Sequence, residues 1–295
     1  MNFPMLMLLA CSSLFARDAM SETIKLSGQL VYSAGGNDIS LIELNNLTHS
    51  NLGSFATDSI NNFTRLSANA VIFEDCDGLR EPNCLLKEFD SRTKSLNTLR
   101  SGQLPTYVPE SKVILFYEQD EVSREGWLHI ADIKTPSTSR KIAKAPSSPD
   151  LKIGWFYYVR PVIQISPNNV LLVGEDFQLW NYDISLSVLN PIGIKNCLPQ
   201  FIRSNTQQLI CYDAKTQGVY QIDLNSQRVE LLPQLKGAHG FVYIPKYDTV
   251  IYGKTRLYML MFETSDIWAY DFGKQEKVKI QSKADIASGV WLEVK

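Results

Sequence analysis

An apolar run that closes on an acidic residue just before a turn occurs six times along this chain. The six acids are Glu43, Asp90, Asp132, Asp183, Asp223 and Asp271. Consecutive acids lie 40 to 51 residues apart, which is the interval at which one four-stranded propeller blade follows another. The repeat therefore predicts an all-β fold, a six-bladed β-propeller.

The residues around each acid have the layout of a blade. The third copy contains the short runs LPTYVP, KVILFYE, GWLHIADI and SRKIAKA, with turn residues at Pro109-Glu110 and Lys134-Thr135-Pro136. Alternating β-branched and aromatic residues between such turns are typical of strands. The chain has 295 residues, 44% of them hydrophobic, and no break in composition, so residues 24–295 are predicted to form one domain.

The two ends of the domain are predicted to share one blade. The segment GQLVYSA near the N-terminus aligns with the second strand of the other blades, and SGVWLEV at residues 288–294 resembles a first strand. Pairing these strands would close blade one and leave no long open edge in the ring.

Residues 1–19 have the character of an export signal. They begin MNFPMLMLLACSSLFA, an apolar stretch too short to span a bilayer. Leu8-Leu9-Ala10-Cys11 resembles the lipobox of bacterial lipoproteins, in which the cysteine is acylated, so Cys11 is the lipidation candidate. Two alternatives remain: an ordinary signal cleaved near Ala16 or Ala19, or a cytosolic protein translated from Met20.

The five cysteines fit an exported protein. If Cys11 is lipidated or removed, four remain. Cys76 and Cys84 lie eight residues apart in a polar insertion, and Cys197 and Cys211 flank a predicted hairpin turn at residues 204–206. We expect both pairs to form disulfides, the first stabilising the fold by about 2.5 kcal/mol. In a cytosolic protein the same four residues would be buried thiols.

The repeated acids are predicted to be structural. A carboxylate just before a turn can accept hydrogen bonds from the backbone N–H groups of that turn. Six such positions spread around a ring are too far apart to form one catalytic pair.

The strand pairs VIQISPNNVLLV and FVYIPKYDTVIYGK resemble the inner-strand repeat of TolB-like six-bladed propellers. The resemblance covers nearly the whole domain, although the turn proline of that family is retained only in part, at Pro109, Pro167 and Pro245. It implies the propeller architecture and a role in binding, and no particular reaction.

Common catalytic and cofactor signatures are missing from the sequence. It contains no G-x-S-x-G, no phosphate-binding loop, no H-E-x-x-H and no C-x-x-C. No cofactor is predicted. A net charge of −2, with Lys and Arg scattered along the chain, argues against nucleic acid as a partner.

No metal site is predicted either. In a lactonase-like propeller a divalent ion would lie in the channel, where this chain offers only Asn62 and Glu293, and hard cations usually take more carboxylate oxygens. The turn formed by residues 75–78 resembles part of a calcium loop but lacks its later acidic ligands.

Aromatic and polar residues on or before the inner strands are the candidates for ligand or partner binding. They are Phe63, Tyr107, Tyr157, Tyr158, Arg160, Gln200, His239 and Trp291. Stacking surfaces and one fixed cation would suit a sugar, a peptide terminus or a carboxylate. The alternative is that the aromatic residues pack between blades and Arg160 is a solvated loop residue.

These observations favour an exported, non-catalytic interaction module that binds an envelope protein in the periplasm or at the outer membrane. Its contact with the membrane would be made only by a lipid on Cys11. The alternative is an exported enzyme or solute binder at the channel mouth, such as a metal-dependent lactonase-like hydrolase. The sequence identifies no small-molecule ligand.

Overall fold

A computed structural model describes residues 24–34, 36–55, 59–77, 83–119, 125–144, 162–174, 178–213, 216, 218–258 and 262–293. In these residues twenty-four strands form six antiparallel sheets of four strands each. Each sheet is one blade, and the prediction of a six-bladed, all-β propeller is confirmed.

The blades follow one another along the chain, apart from the strand that the C-terminal end adds to blade 1. Blades 1 to 3 contain β1 (Gln29–Ser33), β2 (Asp38–Glu43), β3 (Thr48–Ser54), β4 (Ser59–Arg65), β5 (Ala70–Asp77), β6 (Asn83–Asp90), β7 (Ser95–Ser101), β8 (Gln103–Val108), β9 (Val113–Gln119), β10 (Gly126–Asp132) and β11 (Ser139–Lys144). Blades 4 to 6 and the closing strand contain β12 (Val162–Ser166), β13 (Asn169–Val173), β14 (Gln178–Asp183), β15 (Val188–Lys195), β16 (Leu198–Arg203), β17 (Gln208–Asp213), β18 (Gly218–Asp223), β19 (Val229–Leu231), β20 (Ala238–Ile244), β21 (Thr249–Tyr258), β22 (Phe262–Asp271), β23 (Glu276–Gln281) and β24 (Ser288–Leu292).

The innermost strands form a closed ring. β24, β4, β8, β12, β16 and β20 contact one another in that order, and β20 contacts β24 again. The first five residues of β4 are buried, whereas the first four of β3, at the outside of blade 1, are exposed. Apolar side chains from adjacent blades pack between the sheets, so that the core is distributed around the channel.

Blade 1 contains both ends of the described chain. β24 pairs antiparallel with β1, from Gln29 opposite Leu292 to Ser33 opposite Ser288. The sheet order is β24-β1-β2-β3. Every inner strand therefore has a neighbour on its outer side, and we call the contact between blade 6 and β24 the closing seam.

The repeated acids act on the turns as the sequence predicts in five of the six blades. Asp90 Oδ1 accepts hydrogen bonds from the backbone N–H groups of Arg92 and Thr93 at 2.8 and 2.9 Å. Asp132, Asp183, Asp223 and Asp271 accept equivalent bonds from their own turns. The prediction fails at Glu43, whose carboxylate accepts instead from Gln29 Nε2 at 2.6 Å.

Both predicted disulfides are present. Cys76 and Cys84 lie directly opposite each other on β5 and β6, with Cα atoms 4.1 Å apart. Cys197 and Cys211 connect the start of blade 5 to its second strand, with Cα atoms 5.2 Å apart. Disulfides persist in oxidising compartments, so the two bonds indicate an exported environment.

The export signal at residues 1–19, the lipidation candidate Cys11 and the alternative start at Met20 lie outside the described residues. Within the described part of the chain, no helix has the length and apolar character needed to cross a membrane.

Candidate site in the central channel

The inner strands of blades 2, 3 and 6 each contain a β-bulge, and these bulges affect which residues face the channel. The register of β4, β8 and β20 shifts between Asn61 and Thr64, between Gln103 and Thr106, and between His239 and Val242. In each bulge one residue has a positive φ: Asn62 at 52°, Leu104 at 54° and Gly240 at 61°. Bulges of this kind redirect side chains and backbone groups.

The channel contains a cavity of about 140 Å³ bounded by the inner strands of blades 2 to 5. Each strand contributes three consecutive residues, and the described lining consists of Asn62, Phe63, Thr64, Leu104, Pro105, Thr106, Val162, Ile163, Gln164, Gln200, Phe201 and Ile202. The lining is a mixture of apolar, hydroxyl and amide groups, and none of these twelve side chains carries a charge.

A buried carboxyl group lies behind this wall. Glu74 on β5 is 5% exposed and accepts hydrogen bonds from Asn62 Nδ2 and from the backbone N–H of Leu104, both at 2.7 Å. Burial raises the pKa of Glu74, and the two hydrogen bonds offset only part of that effect. The left-handed conformations of Asn62 and Leu104 thus join blades 2 and 3 through one carboxyl group.

Three lining residues retain unused hydrogen-bonding capacity. Asn62 donates to Glu74 through Nδ2, and Gln164 donates through Nε2 to Glu110 Oε2 at 2.6 Å. No described residue donates to the side-chain oxygen of either amide. Thr64 Oγ1 accepts from the backbone N–H of Tyr107 at 3.1 Å, which leaves its hydroxyl hydrogen available within the described part of the channel.

The structure divides the predicted binding residues into separate groups. Phe63 and Gln200 line the cavity. Tyr107 follows the lining residue Thr106 and is half-buried. Tyr157, Tyr158 and Arg160 lie outside the described residues.

His239 belongs to the closing seam. Its Nε2 lies 2.7 Å from Asp285 Oδ1, in the segment that leads into β24. Gly253 lies opposite His239 on β21, and a Cβ atom there would lie 2.6 Å from His239 Nε2 and 2.8 Å from Asp285 Oδ1. The pair therefore requires a glycine at position 253.

The Asp285 carboxylate is stabilised by its surroundings. Burial on its own would raise the pKa of Asp285, but the hydrogen bond and charge of His239, together with the backbone N–H of Ile286, lower it below the ordinary value. The pair joins blade 6 to the closing strand.

Trp291 also belongs to the seam. It is 8% exposed and packs in the apolar cluster shared by blades 6 and 1. Its indole N–H donates to the backbone oxygen of Ser27 at 2.9 Å. The contacts of Trp291 in the structure are those of a core residue.

The residues considered for a metal have other partners. Glu293 pairs with Lys246 at 3.1 Å, Asn62 donates to Glu74, and Asp75 pairs with Lys87. Across the described ranges, no group of three or more His, Cys, Asp or Glu side chains is placed to hold a metal ion.

Sequence reasoning did not select Thr64, Thr106 or Gln164 for the channel. A signal for Gln164 was present, because it is the one strongly polar residue within the apolar run VIQI at the start of blade 4. Thr64 and Thr106 had no such signal, since threonine is common in strands of every kind.

Solved structures with a similar fold include two proteins of low sequence identity. An oligogalacturonate lyase in complex with manganese matches with a TM-score of 0.50 and 11% identity, over 78% of this chain and 72% of that chain. A structural genomics protein of unknown function from Bacteroides thetaiotaomicron VPI-5482 matches with a TM-score of 0.53 and 9% identity, over 87% and 73%. No protein-family model and no curated protein matches the sequence.

At these identities the similarity supports the fold alone. Together with the six sheets and the ring of inner strands, it defines the chain as a six-bladed β-propeller.

Proposed function

We propose that this protein is an exported, non-catalytic binding module that docks a partner protein of the cell envelope. The observation that carries the proposal is a set of four exposed apolar side chains at the outer rims of blades 4 and 5. They are Leu186, in the turn before β15, and Val188, Val229 and Leu231 on the outer strands, which are 71%, 44%, 58% and 52% exposed. We call this set the blade 4–5 edge. Exposed apolar side chains that a partner can cover are typical of interaction surfaces.

The two blades are held together at this edge. Gln227 Nε2, in the turn before β19, donates to the backbone oxygen of Ile192 on β15 at 3.3 Å. This hydrogen bond holds the turn between β18 and β19 of blade 5 against the outer strand of blade 4.

We expect a partner segment to pair at the outer edge of blade 5. This edge is formed by β19 (Val229–Leu231), whose three residues are all exposed. So short a strand offers few backbone groups, and the contact would depend mainly on the side chains of Val229 and Leu231. β15 of blade 4 contains Pro191, which cannot donate a hydrogen bond to an added strand, whereas β19 contains no proline. An extended partner segment with alternating apolar side chains could pair with β19 and cover Val229 and Leu231.

Several acidic groups of the described residues support a non-catalytic role, because they are engaged in structural contacts. Asp248 binds Arg203 through both of its oxygens, at 3.1 and 2.6 Å, and also accepts from Tyr243 OH at 2.8 Å. Asp266 pairs with Lys279 at 3.2 Å. The repeated aspartates bind the turns, so these carboxylates serve to join strands and blades.

Export and membrane attachment complete the proposal. The two disulfides support an oxidising compartment, and the lipobox-like sequence ending at Cys11 supports a lipid anchor. The resemblance of the strand pairs to TolB-like propellers is consistent with a periplasmic or outer-membrane location. Changing Cys11→Ser should move the protein from the membrane fraction to the soluble fraction, and a wild-type protein already soluble would contradict the anchor.

The docking surface is tested by crosslinking in living cells with a photoreactive amino acid at position 233, beside β19. The variant Leu231→Glu places a charge on the proposed contact, and Leu96→Glu, at a 37% exposed position on the outer strand of blade 2, is the matched control. We expect Leu231→Glu to reduce the yield of a specific envelope adduct about ten-fold or more and Leu96→Glu to leave it unchanged. Equal yields from the wild type and Leu231→Glu would contradict the proposal.

A further inference from the structure

We propose that the central channel of this propeller is a second binding site, and that its ligand is a small, uncharged molecule rich in hydroxyl groups. The site is the cavity bounded by the inner strands of blades 2 to 5. It is separate from the blade 4–5 edge, because the cavity is lined by inner strands and the edge is formed by outer ones.

The uncharged described lining favours an uncharged ligand. All twelve described lining residues are neutral. Moving an ion from water into such a site is costly unless a group of opposite charge meets it there. A carboxylate, a phosphate or an ammonium group would find no such partner among these twelve side chains, and Glu110, which contacts the lining, already accepts a hydrogen bond from Gln164 Nε2.

The buried carboxyl group behind the wall does not supply that partner. Burial raises the pKa of Glu74, which favours its neutral form. Both of its oxygens already accept hydrogen bonds, from Asn62 and from the backbone N–H of Leu104. Glu74 thus fixes the orientation of Asn62, whose Nδ2 points to the carboxyl group and whose Oδ1 keeps its hydrogen-bonding capacity.

The available hydrogen-bonding groups favour hydroxyls on the ligand. Within the described lining, the side-chain oxygens of Asn62 and Gln164 can each accept a hydrogen bond, and the Thr64 hydroxyl can donate one. A ligand hydroxyl both donates and accepts, so a molecule with several hydroxyls can meet all three groups.

The apolar part of the wall suits the C–H face of such a molecule. Phe63 and Phe201 line the cavity, and both rings are held in place by aromatic neighbours. Phe63 lies 5.6 Å from Phe73 between ring centroids, and Phe201 lies 4.8 Å from Tyr243. Polar groups beside fixed apolar surfaces are the usual composition of small-molecule sites.

The cavity is accessible from one end of the channel. Asn62, Val162 and Gln200, in the first part of their strands, are buried, whereas Thr64 and Gln164, further along, are half-buried. Its volume of about 140 Å³ corresponds to roughly four or five water molecules, which a small ligand would displace on entering.

The experiment measures binding of three matched probes to the disulfide-bonded protein by ligand-observed NMR titration and by the shift in melting temperature. The probes are D-glucose, which is neutral, D-glucuronate, which is negative, and D-glucosamine, which is positive. We expect glucose to bind and to raise the melting temperature, and the two charged probes to bind at least about ten-fold more weakly. No binding by glucose, or equal binding of all three probes, would overturn the proposal.

A pair of variants distinguishes the cavity from the rest of the surface. Gln164→Met removes an acceptor from the cavity and breaks the hydrogen bond to Glu110. The control Gln221→Met breaks a similar hydrogen bond, from Gln221 Nε2 to Glu230 Oε2 at 2.9 Å. This bond lies on blade 5, outside the cavity lining. We expect Gln164→Met to weaken glucose binding about five-fold, the effect of one hydrogen bond, and Gln221→Met to leave it unchanged. Equal affinities of the two variants would overturn the assignment of the site.

Discussion

The closing seam and the channel wall both contain polar side chains on inner strands, but they use them differently. At the seam the polar groups are paired: His239 with Asp285, Glu293 with Lys246, and the Trp291 indole with Ser27. In the wall, Asn62, Thr64 and Gln164 each keep an unused group within the described channel. Two of these three side chains also contact a neighbouring blade and the third contacts its own, so the difference from the seam lies in the one donor or acceptor that each contact leaves unused.

Of the changes considered, removal of β24 should reduce the stability of the ring most. Deletion of residues 288–295 would leave β1 as an open edge and would remove Trp291 and Leu292 from the core. We expect loss of a single cooperative unfolding transition and binding of a hydrophobic dye, because the ring would no longer be closed. Unfolding curves and dye fluorescence measure both effects. Wild-type stability of the truncated protein would show that the seam does not hold the ring.

The next largest effect is expected at Gly240, where β20 contacts the segment before β24. A Cβ atom on Gly240 would lie 1.9 Å from the backbone oxygen of Ile286. Gly237 has a similar positive φ, 72° against 61°, but no atom within 4 Å of its Cβ position, which makes it the matched control. We expect Gly240→Ala to lower the free energy of unfolding by about 4 kcal/mol.

The control Gly237→Ala should cost about 1–2 kcal/mol, the penalty of a left-handed conformation without a clash. Urea denaturation measures both variants. If they lose the same free energy, the close approach at the seam has no energetic role.

The two disulfides should differ modestly in their contributions to the free energy of unfolding. On the chain-entropy estimate, replacing Cys197 and Cys211 by serine lowers the free energy of unfolding by about 3 kcal/mol, and replacing Cys76 and Cys84 by about 2.5 kcal/mol, because the first bond closes the longer loop. The channel should keep its ligand affinity in both variants. Loss of glucose binding in the Cys76 and Cys84 variant would show that the cavity depends on this bond.

The smallest effect is expected at Asp285. The pKa of its carboxyl group is lowered in the folded protein, so the carboxylate stabilises the fold above its ordinary pKa near 3.8 and loses that contribution as the pH falls through the lower, folded value. We expect Asp285→Asn to cost less than about 1 kcal/mol at pH 7, because the side chain is 38% exposed and water screens it.

The difference in unfolding free energy between the wild type and Asp285→Asn should then shrink between pH 5 and pH 2.5. Urea denaturation at each pH measures it. If the difference in unfolding free energy grows as the pH falls, the Asp285 carboxylate does not stabilise the fold in the way proposed.

The sequence alone was sufficient to predict the six blades and both disulfides, since these depend on local patterns. An apolar run, an acid and a turn lie within a few residues of one another, and each cysteine pair spans one insertion or hairpin. The exception at Glu43 is also local: its carboxylate reaches Gln29 on the neighbouring strand instead of its own turn.

The polar contacts of the channel could not be predicted in the same way. Whether His239 faces a ligand or Asp285 depends on a contact 46 positions away along the chain and on the absence of a side chain at Gly253. The bulges in β4, β8 and β20 also change which residues face the channel. An alignment that assumes strict alternation of side chains along each strand does not reveal these bulges.

The most direct test of the distinction between seam and channel is hydrogen exchange of the intact protein with and without D-glucose, read by mass spectrometry of peptides. We predict that glucose slows exchange in peptides that contain β4 and β12, which line the cavity, and leaves peptides from β20 and β24 unchanged. Slowing confined to β20 and β24, or no change in any peptide, would contradict the account.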